Sequence, residues 1–407
     1  MSDPGLPEAL PEPSGILDGV RILSLAEQYP GPYATLLLSD LGADVVLVER
    51  PAGGDPSRKF PWFFEALNRN KRAIALDLKD PRGAAAFRRL SDASDVVLEG
   101  FRPRVMERLG VGYERLASSN HRLVYVSISG FGRDGPYRDR PAHDVSYQAI
   151  AGMLHDLTSA SAPLPAPSVQ VGDLSSGIFA AFGTVSALYA RERSGQGMYL
   201  DVSVTDVLVS MMTVGIVPVV NGTGPPGFPH EPGYGLYGTA DGRLLSLSIA
   251  HEDGFWRALC ETVGLQQLAD LTATQRLERK PELVARLQAI LVARPLQWWT
   301  EAFAAAGVPF GPVHDLEEVA LDPQIAARGM LVNVPAGEGR PTRRHVRQPL
   351  VFGGRWTGPT RHAPALGEHT REVLAEAGWS DADIDALLTD GVALQQGASV
   401  SGTTEAE

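Results

Sequence analysis

The stretch VRILSLAEQYPGPYATLLLSDLGADVVLVER, residues 20–50, decides the fold. Val20 to Leu25 is a short apolar run and reads as a buried strand. Tyr29-Pro30-Gly31-Pro32 reads as a turn, Tyr33 to Leu41 as a helix closed by Gly42, and Asp44 to Glu49 as a second buried strand. A strand, helix and strand in this order form a crossover unit, which joins parallel strands. The same alternation continues outward. Ala73 to Leu78 is strand-like, Pro81 to Ser91 helical, Asp95 to Leu98 extended, Val105 to Leu109 a short helix, and Leu123 to Ile128 another strand. The fold class that follows is α/β, with a mostly parallel sheet covered by helices on both faces. Such sheets bind ligands at the carboxyl ends of their strands, so the loops after Leu25, Glu49, Leu98, Ser129 and Val171 are where a site is expected.

Beyond this core the composition changes. Residues 1–16 are acidic and Pro-rich and read as a disordered tail, 17–220 as the first part of a large domain, and 221–234, loaded with Gly and Pro, as a linker. A smaller α+β domain follows over 235–330, with a strand at Leu244 to Ile249 and helices near 252–264, 281–293 and 295–306; 391–407 reads as a second disordered tail. A chain of 407 residues, 44% hydrophobic and 21% charged, can bury a substantial core. The net charge of -12, with no dense basic run, argues against nucleic acid or an anionic membrane as the main partner. No stretch reads as a membrane span of about 18 apolar residues, and the N-terminus lacks the basic start and apolar run of a signal peptide, so the expected compartment is the cytoplasm. Cys260 stands alone among Phe255, Trp256 and Leu259; it reads as core, and no metal site is expected.

Two stretches carry candidate chemistry: His143-Asp144-Val145-Ser146-Tyr147, and Val171-Gly172-Asp173-Leu174-Ser175-Ser176-Gly177. Ser168 to Val171 reads as extended, Gly172 as a turn, and Leu174 to Arg191 as a helix, which sets Asp173 at or just before a helix N-terminus. On local grounds Asp173 is either a capping aspartate or a functional carboxylate beside unpaired backbone N–H groups. The N–H groups of Asp173-Leu174-Ser175 would serve as an oxyanion hole. His143 is either a packed residue at a helix start or an acid/base group, since an imidazole titrates near neutrality.

Several blocks together resemble the family III CoA-transferases: PGPYATLLLSDLGADVVLVER (30–50), NRNKRAIALDL (68–78), EGFRPRVMERLG (99–110), SISGFGRDGPY (127–137), VGDLSSG (171–177), YGTADGRLLSLSI (237–249), GVPFGPVHDLEEVALDPQIAARGM (307–330) and APALGEHT (363–370). The resemblance spans nearly the whole chain. It implies a Rossmann-like large domain built from both ends of the chain, with 331–390 returning to it, a small domain inserted between, and an interlocked homodimer. It also implies an acyl-CoA substrate and no cofactor beyond the coenzyme A of that substrate.

Within this family Asp173 matches a carboxylate that serves two chemistries. In transferases it resembles a nucleophile that passes through an aspartyl anhydride and an aspartyl-CoA thioester; in racemases it resembles one of two groups exchanging the proton alpha to the thioester. Inversion needs a second proton carrier on the opposite face. His143-Asp144-x-x-Tyr147 resembles the racemase pattern His-Asp-Ile-Asn-Tyr, with Val145 and Ser146 replacing Ile-Asn. Glu252 falls where racemases carry a glutamate, and would bond His143 or Tyr147; read locally, it is a first-turn helix acid. Racemisation of a 2-methylacyl-CoA is therefore the first expectation and CoA transfer the alternative. For coenzyme A itself the resemblance points to Arg50, Asn68, Lys71, Arg72, Phe101, Arg102, Arg108 and Tyr147, cations and aromatics suited to phosphates, adenine and the pantetheine arm. Met153, Leu154, Met211 and Met212 are either an acyl pocket or core.

Overall fold

The computed structural model describes residues 15–155, 167–224, 230–334 and 341–396. Most of both expected tails and the Pro225–Pro229 part of the expected linker lie outside the described residues. The chain divides into two compact units, Met1–Thr213 with Gly329–Glu407, and Val214–Arg328, so the first division falls at 213/214.

In the large unit the strands are β1 (Arg21–Ser24), β2 (Asp44–Glu49), β3 (Arg72–Leu76), β4 (Val96–Glu99), β5 (Val124–Ser129) and β6 (Met198–Ser203). They pair in parallel in the order β3-β2-β1-β4-β5-β6. All residues of β3 and β4 are buried, the signature of strands covered on both faces. Alternate residues serve opposite cores: Leu23, Val46, Ile74 and Phe87 on one face, Ile22, Val45, Val96 and Ala180 on the other.

The helices of this unit include α1 (Pro30–Asp40), α2 (Pro61–Asn68), α3 (Pro81–Asp92), α4 (Val105–Arg108), α5 (Tyr113–Ala117), α6 (Asp144–Ile150), α7 (Val171–Ser194) and α8 (Val204–Met211), with two more at Thr370–Glu376 and Asp381–Thr389. The helix α1 starts at Pro30, earlier than the sequence pattern suggests, because Pro occupies its first position without needing a donor. Gly31 therefore lies inside the helix, where a Cβ would stand 2.1 Å from the Cβ of Ala26. The strand β6 was not anticipated: three of its six residues are half-buried and one is exposed, and its sequence lacks the apolar run of its neighbours.

The helix α7 is long and apolar enough, by length and composition, to qualify as a membrane span, contrary to the sequence reading; half of that window is buried within the unit, where it packs on α1 and the sheet. Its outer face exposes Ile178, Phe182, Val185 and Tyr189.

In the small unit β7 (Tyr234–Gly238), β8 (Leu244–Ser248) and β9 (Phe310–Pro312) form an antiparallel sheet. Helices at Asp253–Thr262, Lys280–Leu291 and Leu296–Ala306 pack on it through Trp256, Leu259, Leu287, Trp299 and Phe303. Cys260 is fully buried there, and burial pushes its thiol up to about 12. Back in the large unit, β10 (Leu331–Val334) pairs with β11 (Arg343–Val346) and β12 (Val351–Phe352) with β13 (Arg355–Trp356). Finally β14 (Ala393–Leu394) joins the main sheet antiparallel to β3. The segment expected to be a tail thus begins with an edge strand.

Candidate active site

Two neighbouring cavities open at the carboxyl ends of the parallel strands, where β1 and β4 run side by side and their following loops diverge. The larger, about 660 Å³, lies between the loops after β1, β4 and β5 and the starts of α6 and α7. Among its lining residues are Asp173, His143, Tyr147, Phe101 and Arg102. The second, about 550 Å³, is lined by Arg50, Lys79, Phe101 and Arg108. Glu27 and Phe101 line both. These volumes are those of small-molecule sites.

Asp173 occupies the third position of α7, inside the first turn, and the described residues just before the helix, 167–170, form a bend rather than a strand. The helix cap comes from elsewhere in the sequence: Asp144 Oδ1 accepts a hydrogen bond from the Asp173 backbone N–H at 3.0 Å. Gly172 makes this approach possible, since a Cβ there would stand 2.8 Å from Asp144 Oδ1 and 3.1 Å from Leu208 and Val204. Gln148 donates to the other oxygen of Asp144 and holds the carboxylate in place. Burial, aided by the neighbouring Asp144 charge, pushes the Asp173 carboxyl up to about 7. It can therefore exist in either protonation state near neutral pH.

The expected oxyanion hole is not formed as described: the N–H of Asp173 is taken by Asp144, and that of Leu174 donates to Gln170 O at 3.0 Å. His143 sits at the N-cap of α6 with its side chain exposed and making no cap bond. The Tyr147 hydroxyl donates to Ala142 O at 2.9 Å, and its ring meets Phe131 edge-on at 5.3 Å. Glu252, at the N-cap of Asp253–Thr262 in the small unit, closes its own turn: Oε2 accepts from Ala250 N at 3.0 Å and His251 N at 3.1 Å. Its own backbone and these N–H groups hold its carboxyl below the ordinary value.

Of the residues expected to contact coenzyme A, the structure gathers Arg50, Phe101, Arg102, Arg108 and Tyr147 around the two cavities. Asn68, Lys71 and Arg72 belong instead to the frame. Lys71 is buried, and its Nζ donates to Pro32 O at 2.9 Å and Asn68 Oδ1 at 2.8 Å. Burial drives that amine well below its ordinary value. Arg72 is committed to Asp44, Glu372 and Glu376 at 2.6, 2.7 and 2.8 Å. Asn68 is 1% exposed and its amide donates to Phe64 O at 3.1 Å. Met153 packs against Ala151, Val204 and Leu208, a core position.

Sequence reasoning missed Glu27, Tyr29 and Arg140, all of which line the Asp173 cavity. Burial, with Asp55 adding, pushes the Glu27 carboxyl up to about 7. Its signal was present, since it follows the first strand of an α/β sheet.

An acyl-CoA transferase of Fusarium pseudograminearum is 34% identical, the alignment covering 93% of this chain and 88% of that protein. A succinate–glutarate CoA-transferase of Agrobacterium fabrum is 33% identical over 88% of this chain and 95% of its own. The crystal structure of a CaiB/BaiF family protein from Brucella suis superposes with a TM-score of 0.77 at 28% identity, covering 89% of this chain and 99% of that one. Residues 17–370 match CoA-transferase family III, and the chain belongs to that family.

Proposed function

We propose that this enzyme moves coenzyme A from an acyl-CoA to a free carboxylic acid through a covalent intermediate on Asp173. The observation that carries this reading is the Asp173 carboxyl in a cavity beside a second, cation-lined one, joined at Glu27 and Phe101. A nucleotide at Arg50, Lys79 and Arg108 would send its pantetheine arm past Phe101 toward Asp173.

The steps balance without a cofactor. The Asp173 carboxylate attacks the thioester carbonyl and expels the CoA thiolate, forming an acyl-aspartyl anhydride. The thiolate then attacks the aspartyl carbonyl, releasing the donor carboxylate and leaving an aspartyl-CoA thioester. An acceptor carboxylate repeats the sequence in reverse and regenerates Asp173. Arg102 and Arg140 give the cavity a cationic rim for the free acid. The names of the Fusarium and Agrobacterium relatives, both transferases, support this order over racemisation, which the sequence reading places first. Dicarboxylates such as succinate and glutarate are the acceptors to try first, by analogy with the Agrobacterium protein.

The test combines succinyl-CoA with glutarate and follows glutaryl-CoA, with hydroxylamine trapping at Asp173 read by mass spectrometry. Asp173→Ala should lower transfer by roughly a thousandfold or more, and His143→Ala by less than about tenfold. His143 lines the same cavity as Asp173, and that favours a second reading, two-base racemisation. Uptake of alpha-deuterium from heavy water into a 2-methylacyl-CoA without any acceptor, lost in His143→Ala, would replace transfer by that reading. We also infer a homodimer, in which a second copy covers Ile178, Phe182, Val185 and Tyr189 on α7; light scattering reads the mass directly.

A further inference from the structure

Away from the cleft, one side-chain cluster joins three distant parts of the large unit. Glu65 lies on α2, His345 on β11, and His362 on the segment after β13. Glu65 Oε1 is 3.4 Å from His345 Nε2 and 3.3 Å from His362 Nδ1, and donor atoms of all three lie within 4.8 Å of one another. The imidazoles are withdrawn from solvent, with His345 7% and His362 9% exposed.

Three features go beyond an ordinary ion pair. First, His345 Nε2 is buried and has no aligned hydrogen-bond partner, although the carboxylate lies 3.4 Å away. Second, the spacing suits an ion: bonds of about 2.0–2.2 Å in a tetrahedron put donor atoms about 3.3–3.6 Å apart, which matches both glutamate–imidazole distances. Third, the donors are positioned by other bonds. Asn70 Oδ1 accepts from Thr360 N at 2.7 Å and Arg361 N at 3.0 Å, and its amide donates to Gly358 O at 3.0 Å, which fixes the chain just before His362.

We propose that Glu65, His345 and His362 bind one zinc-type divalent ion, with water as the fourth ligand, and so fasten the returning chain at 341–363 onto α2. Two imidazoles and one carboxylate suit zinc, whereas calcium and magnesium prefer all-oxygen shells. The site is separate from the Asp173 cavity and does not depend on the transferase chemistry.

The experiment uses the full chain without a histidine tag, stripped with a chelator and then given zinc or cobalt(II). About one equivalent of metal should survive gel filtration, cobalt(II) should show the intense visible bands of four-coordination, and zinc should raise Tm by several degrees. His345→Gln and His362→Gln should each weaken binding by roughly 100-fold or more, whereas His314→Ala, on an exposed turn of the small unit, should bind as the wild type does. Glu65→Gln, nearly isosteric, is the control should either histidine variant fail to fold: it should keep its circular dichroism and lose the metal. Absence of retained metal together with an unchanged Tm, or an unweakened equivalent in any folded ligand variant, overturns the proposal and leaves a histidine–glutamate ion pair.

Discussion

Replacing Asp173 with asparagine should stabilise the protein by an amount that grows with pH. The carboxyl moves from its ordinary 3.8 in the unfolded chain to about 7 in the fold, through burial first and Asp144 second. Well below pH 3.8 it is neutral in both states, and its contribution to stability is fully present. As pH rises from 3.8 toward 7 the unfolded chain releases the proton while the fold retains it, so stability falls; above 7 both are ionised and the loss is complete. At about 1.4 kcal/mol per pH unit the whole interval is worth roughly 4 kcal/mol. Asp173 keeps some contact with solvent and lies in the first turn of a helix, where the dipole favours a negative charge, so about 2 kcal/mol is the expected effect. Asparagine has no such titration. At about 1 °C per kcal/mol for a chain of this length, the variant should melt about 2 °C above the wild type at pH 8. The advantage should shrink by about 1 °C at pH 5 and stay constant above pH 8. Scanning fluorimetry of both proteins across this range measures it, and titrations elsewhere cancel in the difference. An advantage equal at pH 5 and pH 8, or a wild type more stable at pH 8, would refute the assignment of a destabilised carboxyl. The variant would gain stability and lose the nucleophile together.

Other consequences can be measured in the same preparations. The first covalent step needs ionised Asp173, so kcat/KM should rise with pH to a plateau above about 7; Asp144→Asn, which removes the neighbouring charge and keeps an acceptor for the helix, should move that midpoint lower. Arg50→Ala and Arg108→Ala should each raise KM for acyl-CoA about tenfold or more, as loss of a charged contact to phosphate implies, read from steady-state kinetics. Lys71→Met should leave that KM unchanged and cost about 1–3 kcal/mol in urea unfolding, because Pro32 O and Asn68 Oδ1 lose their donor.

Much of the large unit is readable because its signals are local. Val45, Val46 and Leu47 announce a doubly covered strand by an apolar run, and the Tyr33 to Leu41 segment announces a helix by its spacing; both patterns involve only near neighbours in the chain. The β6 strand escaped because three of its six residues are half-buried and one is exposed, so the pattern reflects a place in the sheet that the segment alone does not reveal. The same limit applies at 68–72. Asn68, Lys71 and Arg72 look like a basic loop in one dimension, but β3 lies inside the sheet with β14 on its outer side, and their polar ends turn to Pro32, Phe64, Asp44 and the Thr370–Glu376 helix.

The sequence by itself determined the alternation of strands and helices, the loops that follow them as the place to look, and Asp173 at or just before the start of a long helix, since each rests on contacts a few residues apart. Only the tertiary structure decided that Asp144, 29 residues earlier, caps that turn, that Glu27 lies between two cavities, and that Glu65, His345 and His362 meet at all. Those outcomes depend on a strand order of 3-2-1-4-5-6 and on the returning chain packing over α2. Burial and electrostatic coupling act through space, and no spacing along the chain encodes them.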